Sequence, residues 1–535
     1  MKRVERKLRD RETLTSLIEQ VSKFLGVTYS FKTSKATRRI SSEKGLTELF
    51  RTCFLPRILP KEIEEELTYF FLYKFYTWRD EHEKVEKVLE NWSKLIKKLY
   101  QRCEDYDVGF EVHEGIEKLR IRFSSGTVYY PMLEILKIDS ILEGKLLKIL
   151  LETLYRSSKL LREKIKVEDF CGMLWETLKT PYNLSKNELR VLDVLIGNPR
   201  IKIEEISRLT RLSSSSVALI LKRLEKGQAY TANSIIKFDK LGLKHVIVRI
   251  PSRKEPKFSH QLSRYLLSLQ YVLGDREEHL ASFVLPAKHI RSAKKLLINS
   301  FGKRIKIYEV ENLQFSVCLD YYDCKSHKWK INYEKLVEKV EKQISRKRSK
   351  ELEKEQKKET VVNENKFTFD RKDLKILRIL IRNWRLSLRE LSKIVKLSKS
   401  AVHKRVSKLE KQRVFEPIIN VHRIGLTEDI ALIVKSGNIA FLDSLTHVLK
   451  KLPRITIYKL REKKEERSKR SESKQQYLFW LTLPSGDTIK FLKNFPPIIE
   501  RHGESEVFYR WHFYSWISFP DPELYLEKQK AWKWY

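Results

Sequence analysis

Two stretches of this chain are variants of a single pattern. Residues 185–226 and 370–411 align without a gap at an offset of 185 positions. Asn198 pairs with Asn383, Arg200 with Arg385, Glu205 with Glu390 and Ser207 with Ser392. Ser213, Ser215 and Val217 pair with Ser398, Ser400 and Val402, and Leu224, Glu225 and Lys226 with Leu409, Glu410 and Lys411. A repeat like this is one supersecondary unit used twice, so the fold has to be organised around two like parts.

Each copy predicts three short helices. In the second copy, Leu374, Leu377, Ile379, Leu380 and Ile381 make the apolar side of the first helix, which Asn383, Trp384 and Arg385 end. Ser387 caps the next helix, with Glu390 three residues on completing a capping box. Leu388, Leu391 and Ile394 or Val395 form its inner face, and Lys396, Leu397 and Ser398 make the turn. Ser398 caps a third helix with an apolar stripe of Val402, Val406 and Leu409. Two short helices about a tight turn, the second with a polar outer side, predict a helix-turn-helix.

The outer side of the third helix is what meets a major groove. In the second copy it carries Ser398, Lys399, Ser400, His403, Lys404, Ser407 and Lys408, with Arg405 on the flank. Lysine and serine hydrogen-bond phosphates or bases, and arginine can grip guanine with two bonds. The first copy differs. Its third helix opens on Ser213, Ser214 and Ser215 and then shows Ala218, Leu219, Lys222 and Arg223. That face suits phosphate contacts through hydroxyls, helix N-terminal amides and the two cations, or packing on protein.

Charge points the same way. Lys plus Arg number 109 against 70 Asp plus Glu, a formal net charge of +39. Such a surplus repels itself until a polyanion neutralises it, and nucleic acid does so with release of counterions. The five cysteines are odd in number and scattered, which argues against a secreted disulfide framework. Cys318, Cys324 and His327 lack the tight knuckle and fourth ligand of a metal site, so neither metal nor cofactor is expected. No run approaches the roughly 18 apolar residues of a membrane span, and the start has no signal-like apolar stretch. A cytoplasmic, nucleoid-associated protein is expected.

The region behind each head also repeats. Residues 235–238 and 418–421 suggest wing strands, and each precedes a glycine, Gly242 or Gly425. Downstream of the second head, strands are predicted over 430–434, 455–460, 477–483 and 506–513, with helices over 441–449 and 487–500. Downstream of the first, strands fall over 245–250, 271–273, 279–284 and 304–318, with helices over 259–269 and 287–299. This β-α-β-β-α-β order is the ferredoxin-like one.

These features together resemble the Lrp/AsnC (feast/famine) transcription regulators of bacteria and archaea. The likeness rests on Asp370 and Asp373, Ile376-Leu377, Asn383 and Arg385, Glu390-Leu391-Ser392, and the run from Leu397 through Ser398, Ser400, Val402, Arg405 and Val406 to Leu409-Glu410. It covers residues about 184–320 and 367–517. It implies an archaeal transcription regulator with a winged head, an assembly domain that dimerises through its sheet, and sometimes a small-molecule effector. The departures are the tandem arrangement and the charged excursion of residues 461–475 where an effector loop would stand.

The expected fold is α+β: two winged helix-turn-helix heads, each followed by a ferredoxin-like domain, plus a mainly helical N-terminal region. The boundaries are 1–180 for that region, 181–243 and 244–320 for the first head and domain, 321–366 for a charged linker, 367–426 and 427–517 for the second pair, and 518–535 for a tail. Residues 1–180 predict helices over 12–25, 61–78, 83–100 and 135–164 and a hairpin between 109 and 130. They show no P-loop, nucleophile elbow or HExxH, so no enzymatic role is predicted. The expected partner is double-stranded DNA. A homo-oligomer or an internal pseudo-dimer through the sheets is also expected. The predicted role is sequence-specific regulation of transcription. An architectural protein of low specificity and a DNA-processing or replication-initiation protein are the alternatives.

Overall fold

The computed structural model describes residues 61–78, 82–100, 107–113, 116–123 and 126–129. It also describes positions 149, 150, 153 and 177 and residues 181–351, 368–462 and 474–534, save 228, 255, 517 and 518. The chain divides into two compact units, one from the first 180 residues and one from Pro181–Tyr535. In the first, α1 (Lys61–Trp78) packs on α2 (His82–Tyr100). Val88, Leu89, Trp92 and Leu95, all buried, make the inner stripe of α2. The predicted hairpin is a three-stranded sheet, β1 (Asp107–His113), β2 (Ile116–Phe123) and β3 (Gly126–Tyr129), in that order. The helix predicted over 12–25 and most of that over 135–164 lie outside the described residues.

The second unit holds both repeats. The first head is α3 (Lys186–Gly197), α4 (Ile203–Thr210) and α5 (Ser214–Lys226). It runs into β4 (Tyr230–Ile236), then β5 (Leu243–Ile250), α6 (His260–Ser263), β6 (Leu266–Leu273), β7 (Glu277–Pro286), α7 (Ile290–Phe301) and β8 (Lys306–Val317). A small hairpin, β9 (Tyr322–Asp323) with β10 (Lys328–Trp329), leads to α8 (Tyr333–Glu351). The second repeat gives α9 (Arg371–Leu380), α10 (Leu388–Val395), α11 (Lys399–Lys411) and β11 (Phe415–Val421). It continues with β12 (Leu426–Ser436), α12 (Ile439–Leu449), β13 (Arg454–Glu462), β14 (Gln475–Pro484), α13 (Asp487–Glu500) and β15 (Glu504–Trp516). It ends in a second hairpin, β16 (Tyr525–Leu526) with β17 (Ala531–Trp532).

The largest correction to the sequence reading concerns the two domains behind the heads. They are not separate sheets. Their eight strands form one closed antiparallel barrel in the order β12-β14-β13-β8-β5-β7-β6-β15. Each repeat supplies four consecutive strands of that ring. The joins are β6 with β15 and β8 with β13, which are the same join under exchange of the repeats. Closure removes the exposed strand edges that two open sheets would present. It also explains why the helix expected over 259–269 stops at Ser263. Residues 268–273 are needed as strand to pair with Trp516 through Tyr509.

The strands expected as separate wings are likewise joined. β4 and β11 pair with each other, and Asn233 stands opposite Ile418, its own counterpart 185 residues later. The flanking bonds obey the same exchange. His422 N–H donates to Ala229 C=O at 2.8 Å, and Lys237 N–H donates to Val414 C=O at 2.9 Å. A local two-fold axis therefore passes through the centre of this ribbon.

The repeats are also interlocked. The first helix of each head packs on the other head's ribbon strand, α3 on β11 and α9 on β4. Leu374, Leu377, Val402 and Leu409 of the second head share one apolar core with Val246, Val248 and Phe283 of the first strand set. The chain end joins the same core through Phe519, Leu524, Tyr525 and Trp532. The linker helix α8 is not merely solvated. Tyr333, Leu336, Val340 and Ile344 bury against α12 and α13 at near-heptad spacing, as far as the stripe extends. Within the barrel, Arg249 of the first repeat bonds Glu278 at 2.9 Å and Glu506 of the second at 2.7 Å. Among the described residues no helix is long and apolar enough to cross a membrane.

Candidate nucleic-acid interface

The second head assembles as its residues dictate. Ser387 and Glu390 close the capping box: Glu390 Oε2 accepts from Ser387 N–H at 2.8 Å, and Ser387 Oγ accepts from Glu390 N–H at 3.2 Å. Ser387 Oγ also donates to Glu390 Oε2 at 2.6 Å, and this bond, with the one from the Ser387 backbone, holds the Glu390 carboxyl below the usual glutamate range. Ser392 donates to Leu397 C=O at 2.8 Å and ties the turn, as Ser207 does to Leu212 C=O at 2.5 Å in the first head. The turn passes through left-handed backbone at Lys396 and at its counterpart Arg211, φ 55° and 56°. Ser398 then caps α11 by accepting from Ala401 N–H at 3.2 Å.

Val402 and Leu409 are buried, which turns the opposite side of α11 outward. Ser398, Lys399, Ser400, His403, Lys404 and Lys408 are exposed, and Ser407 is half-buried. His403, Lys404, Ser407, Lys408, Lys411 and Gln412 line one open groove along the helix. Lys411 was not among the predicted contacts, although its spacing of four from Ser407 and seven from Lys404 sets it on this face. The exposed Lys393 and Lys396 on the approach to the turn were also missed.

Arg405, expected on the flank of the outward side, is half-buried and engages two carboxylates. Its Nη1 donates to Asp370 Oδ1 at 2.8 Å and to Asp373 Oδ1 at 2.7 Å. Those two aspartates form the capping box of α9. Burial works to raise the Asp370 pKa, but the Asp373 backbone and the Arg405 guanidinium prevail and hold it low. Asp373 is buried, and Lys408 approaches it at 3.7 Å while donating to Thr368 C=O at 2.5 Å. Arg405 thus ties α11 to the first helix of its own head.

The first head repeats the frame with other chemistry. Glu188 takes the place of Asp373, buried and bonded by Tyr182 Oη at 2.8 Å, with Arg223 at 3.7 Å. Ser213 caps α5, and Ser213, Ser214, Ser215, Lys222 and Arg223 are all exposed. Between them lie exposed Ala218 and Leu219, the latter 68% accessible. The arginine of the shared Asn-x-Arg motif differs between the copies. Arg200 reaches the other head, pairing with Glu410 at 3.0 Å and stacking over Phe415 at 5.7 Å. Its counterpart Arg385 lies over the Trp384 ring of its own head at 5.8 Å. Among the described residues no cluster of three His, Cys, Asp or Glu side chains could hold a metal.

With this geometry in place, the comparisons with known proteins fall on the heads. The winged helix-turn-helix DNA-binding family matches twice, over residues 184–227 and 369–415. No curated protein is significantly similar to the chain. Among solved structures, the siroheme decarboxylase NirDL is similar with a TM-score of 0.39 and 9% identity, covering 64% of this chain and 98% of that one. The same enzyme in complex with an iron-uroporphyrin III analogue gives 0.39 and 8%, covering 63% and 94%. The protein PH0061 gives 0.19 and 16%, covering 25% and 96%. The enzyme likeness is too distant to carry a statement about activity. The two family matches support DNA binding through winged helix-turn-helix regions at residues 184–227 and 369–415.

Proposed function

We propose that this protein is a sequence-specific, double-stranded DNA-binding regulator of transcription in which one chain supplies both heads of a pseudo-dimer. The observation that carries this is the outward face of α11. It presents Lys399, Ser400, His403, Lys404, Ser407, Lys408 and Lys411 with no carboxylate among them. Hydroxyl, imidazole and ammonium groups on one helix face suit base edges and phosphates in a major groove. On this reading each half of the barrel is a ferredoxin-like assembly domain, and the ring between repeats replaces the sheet contact of a homodimer. The resemblance to Lrp/AsnC regulators supports that reading, as does the repetition of β-α-β-β-α-β elements after each head. A nucleoid location follows from DNA binding.

The test is binding to duplexes selected from a random pool, measured over a range of salt. Specific sites are expected to bind at least about 10³-fold more tightly than random DNA. Lys404→Ala is expected to weaken the selected site about tenfold without loss of fold, since base or phosphate contacts of this kind contribute about 1–3 kcal/mol. Tight binding without sequence preference would favour the second reading, an architectural DNA-coating protein, for which the apolar, serine-rich outer face of the first head speaks.

A further inference from the structure

The two heads stand in equivalent places but carry different faces. The ribbon register, its flanking bonds and the barrel joins all obey one exchange of repeats. A protein two-fold meets the dyad of a duplex, and the heads then address two half-sites about one helical turn apart. The outward residues do not obey the exchange. Where the second head has His403 and Lys404, the first has Ala218 and Leu219. Neither replacement has a side-chain hydrogen-bond donor or acceptor, and both are exposed. Apolar side chains in a major groove touch thymine methyl groups, which carries far less information than paired hydrogen bonds. Of the remaining first-head groups, Ser213, Ser214, Ser215 and Lys222 can hold phosphates whatever the sequence, and Arg223, the one guanine-gripping type among them, is drawn toward Glu188 at 3.7 Å.

We infer that the DNA target is directional: one chain spans two successive half-sites, and only the half under α11 is read in sequence. The half under α5 is held through its backbone and tolerates substitution. This inference rests on the DNA-binding reading above. Tethering makes the arrangement workable, because a weak, sequence-blind head still raises the local concentration of its partner head.

The experiment uses the full chain, a pool of random duplexes, and hydroxyl-radical footprinting of the selected sites. The expected consensus is a single block with no inverted copy, inside a footprint that covers two successive major grooves at one chain per duplex. Base changes in the block are expected to weaken binding about tenfold or more each, and changes in the other half by less than about threefold. Ala218→His/Leu219→Lys, both at exposed positions, is expected to add an inverted copy of the block. His403→Ala/Lys404→Ala should erase the block, bringing the selected site down to the affinity of random DNA for the same variant. A palindromic consensus from the unaltered protein, or a footprint confined to one groove, would overturn the inference and leave the DNA-binding reading intact. Absence of any duplex binding would instead refute that underlying reading.

Discussion

Arg405→Ala separates a structural from a base-reading arginine. The substitution removes two hydrogen bonds to carboxylates, 2.8 Å to Asp370 and 2.7 Å to Asp373. The Asp373 side chain is 2% exposed, so its charge stays buried with the Asp370 N–H at 3.2 Å and Lys408 at 3.7 Å still near. Stripping one partner from a buried pair costs about 3–5 kcal/mol. Arg405 is itself 27% exposed and Lys408 compensates in part, so about 2–3 kcal/mol is the expected loss. The loss is local to the second head. Amide hydrogen exchange over residues 371–411, followed by mass spectrometry, should accelerate about 30- to 150-fold, since each 1.4 kcal/mol is a factor of ten. Base preference in the selected site should survive wherever the head remains folded. Exchange within threefold of the unaltered protein, together with a relaxed preference at one base pair, would refute the assignment. Arg405 would then be a reader that leaves its aspartates to reach DNA.

Three further outcomes are expected. Trp532→Phe removes an indole N–H that donates to Leu241 C=O at 2.6 Å. The buried carbonyl and the small void left behind should cost about 2–3 kcal/mol, visible as faster proteolysis within residues 519–534. Acid should loosen the barrel and ribbon through two histidines. Burial pushes His245 down to about 4, and burial together with the Arg454 charge pushes His422 down to about 3. Both are depressed below the unfolded value near 6.5, so the stability they lend is complete above that pH. It drains away as pH falls from 6.5 toward the folded values of about 4 and 3, and because both residues are half-buried we expect about 1–2 kcal/mol from each. Denaturant midpoints measured between pH 7 and 4 check this, and replacing His422 with Gln should flatten the slope. Raising salt from 50 to 200 mM should weaken duplex binding steeply, and Lys404→Ala should reduce the log–log slope by about 0.9 if the ammonium meets a phosphate.

Local structure was readable from the chain because it is set by short-range rules. The 185-residue offset found both heads, and apolar spacing placed their helices within a residue or two. Ser387 with Glu390, and Ser398 before its helix, announced the caps that the structure forms. The same spacing displayed the outward residues of α11, since Val402 and Leu409 leave only one side to face solvent. The contacts of Arg405 were not legible for the complementary reason. Its partners Asp370 and Asp373 lie 35 and 32 positions away, and periodicity is silent about contacts at that range.

What tertiary structure alone decided is how two like halves are joined. The strand patterns after each head are compatible with two open sheets or with one ring, because alternation specifies which face is buried and not which edge is paired. Closure into an eight-stranded barrel, pairing of β4 with β11, and docking of each tryptophan hairpin on the far repeat (Trp329 on Ile424 C=O, Trp532 on Leu241 C=O) all depend on edges and carbonyls meeting across long separations. The sequence alone determined that there are two heads with unequal outer faces. The fold decided that they are held about a common two-fold axis, since only a closed ring satisfies both sheet edges of each half within a single chain.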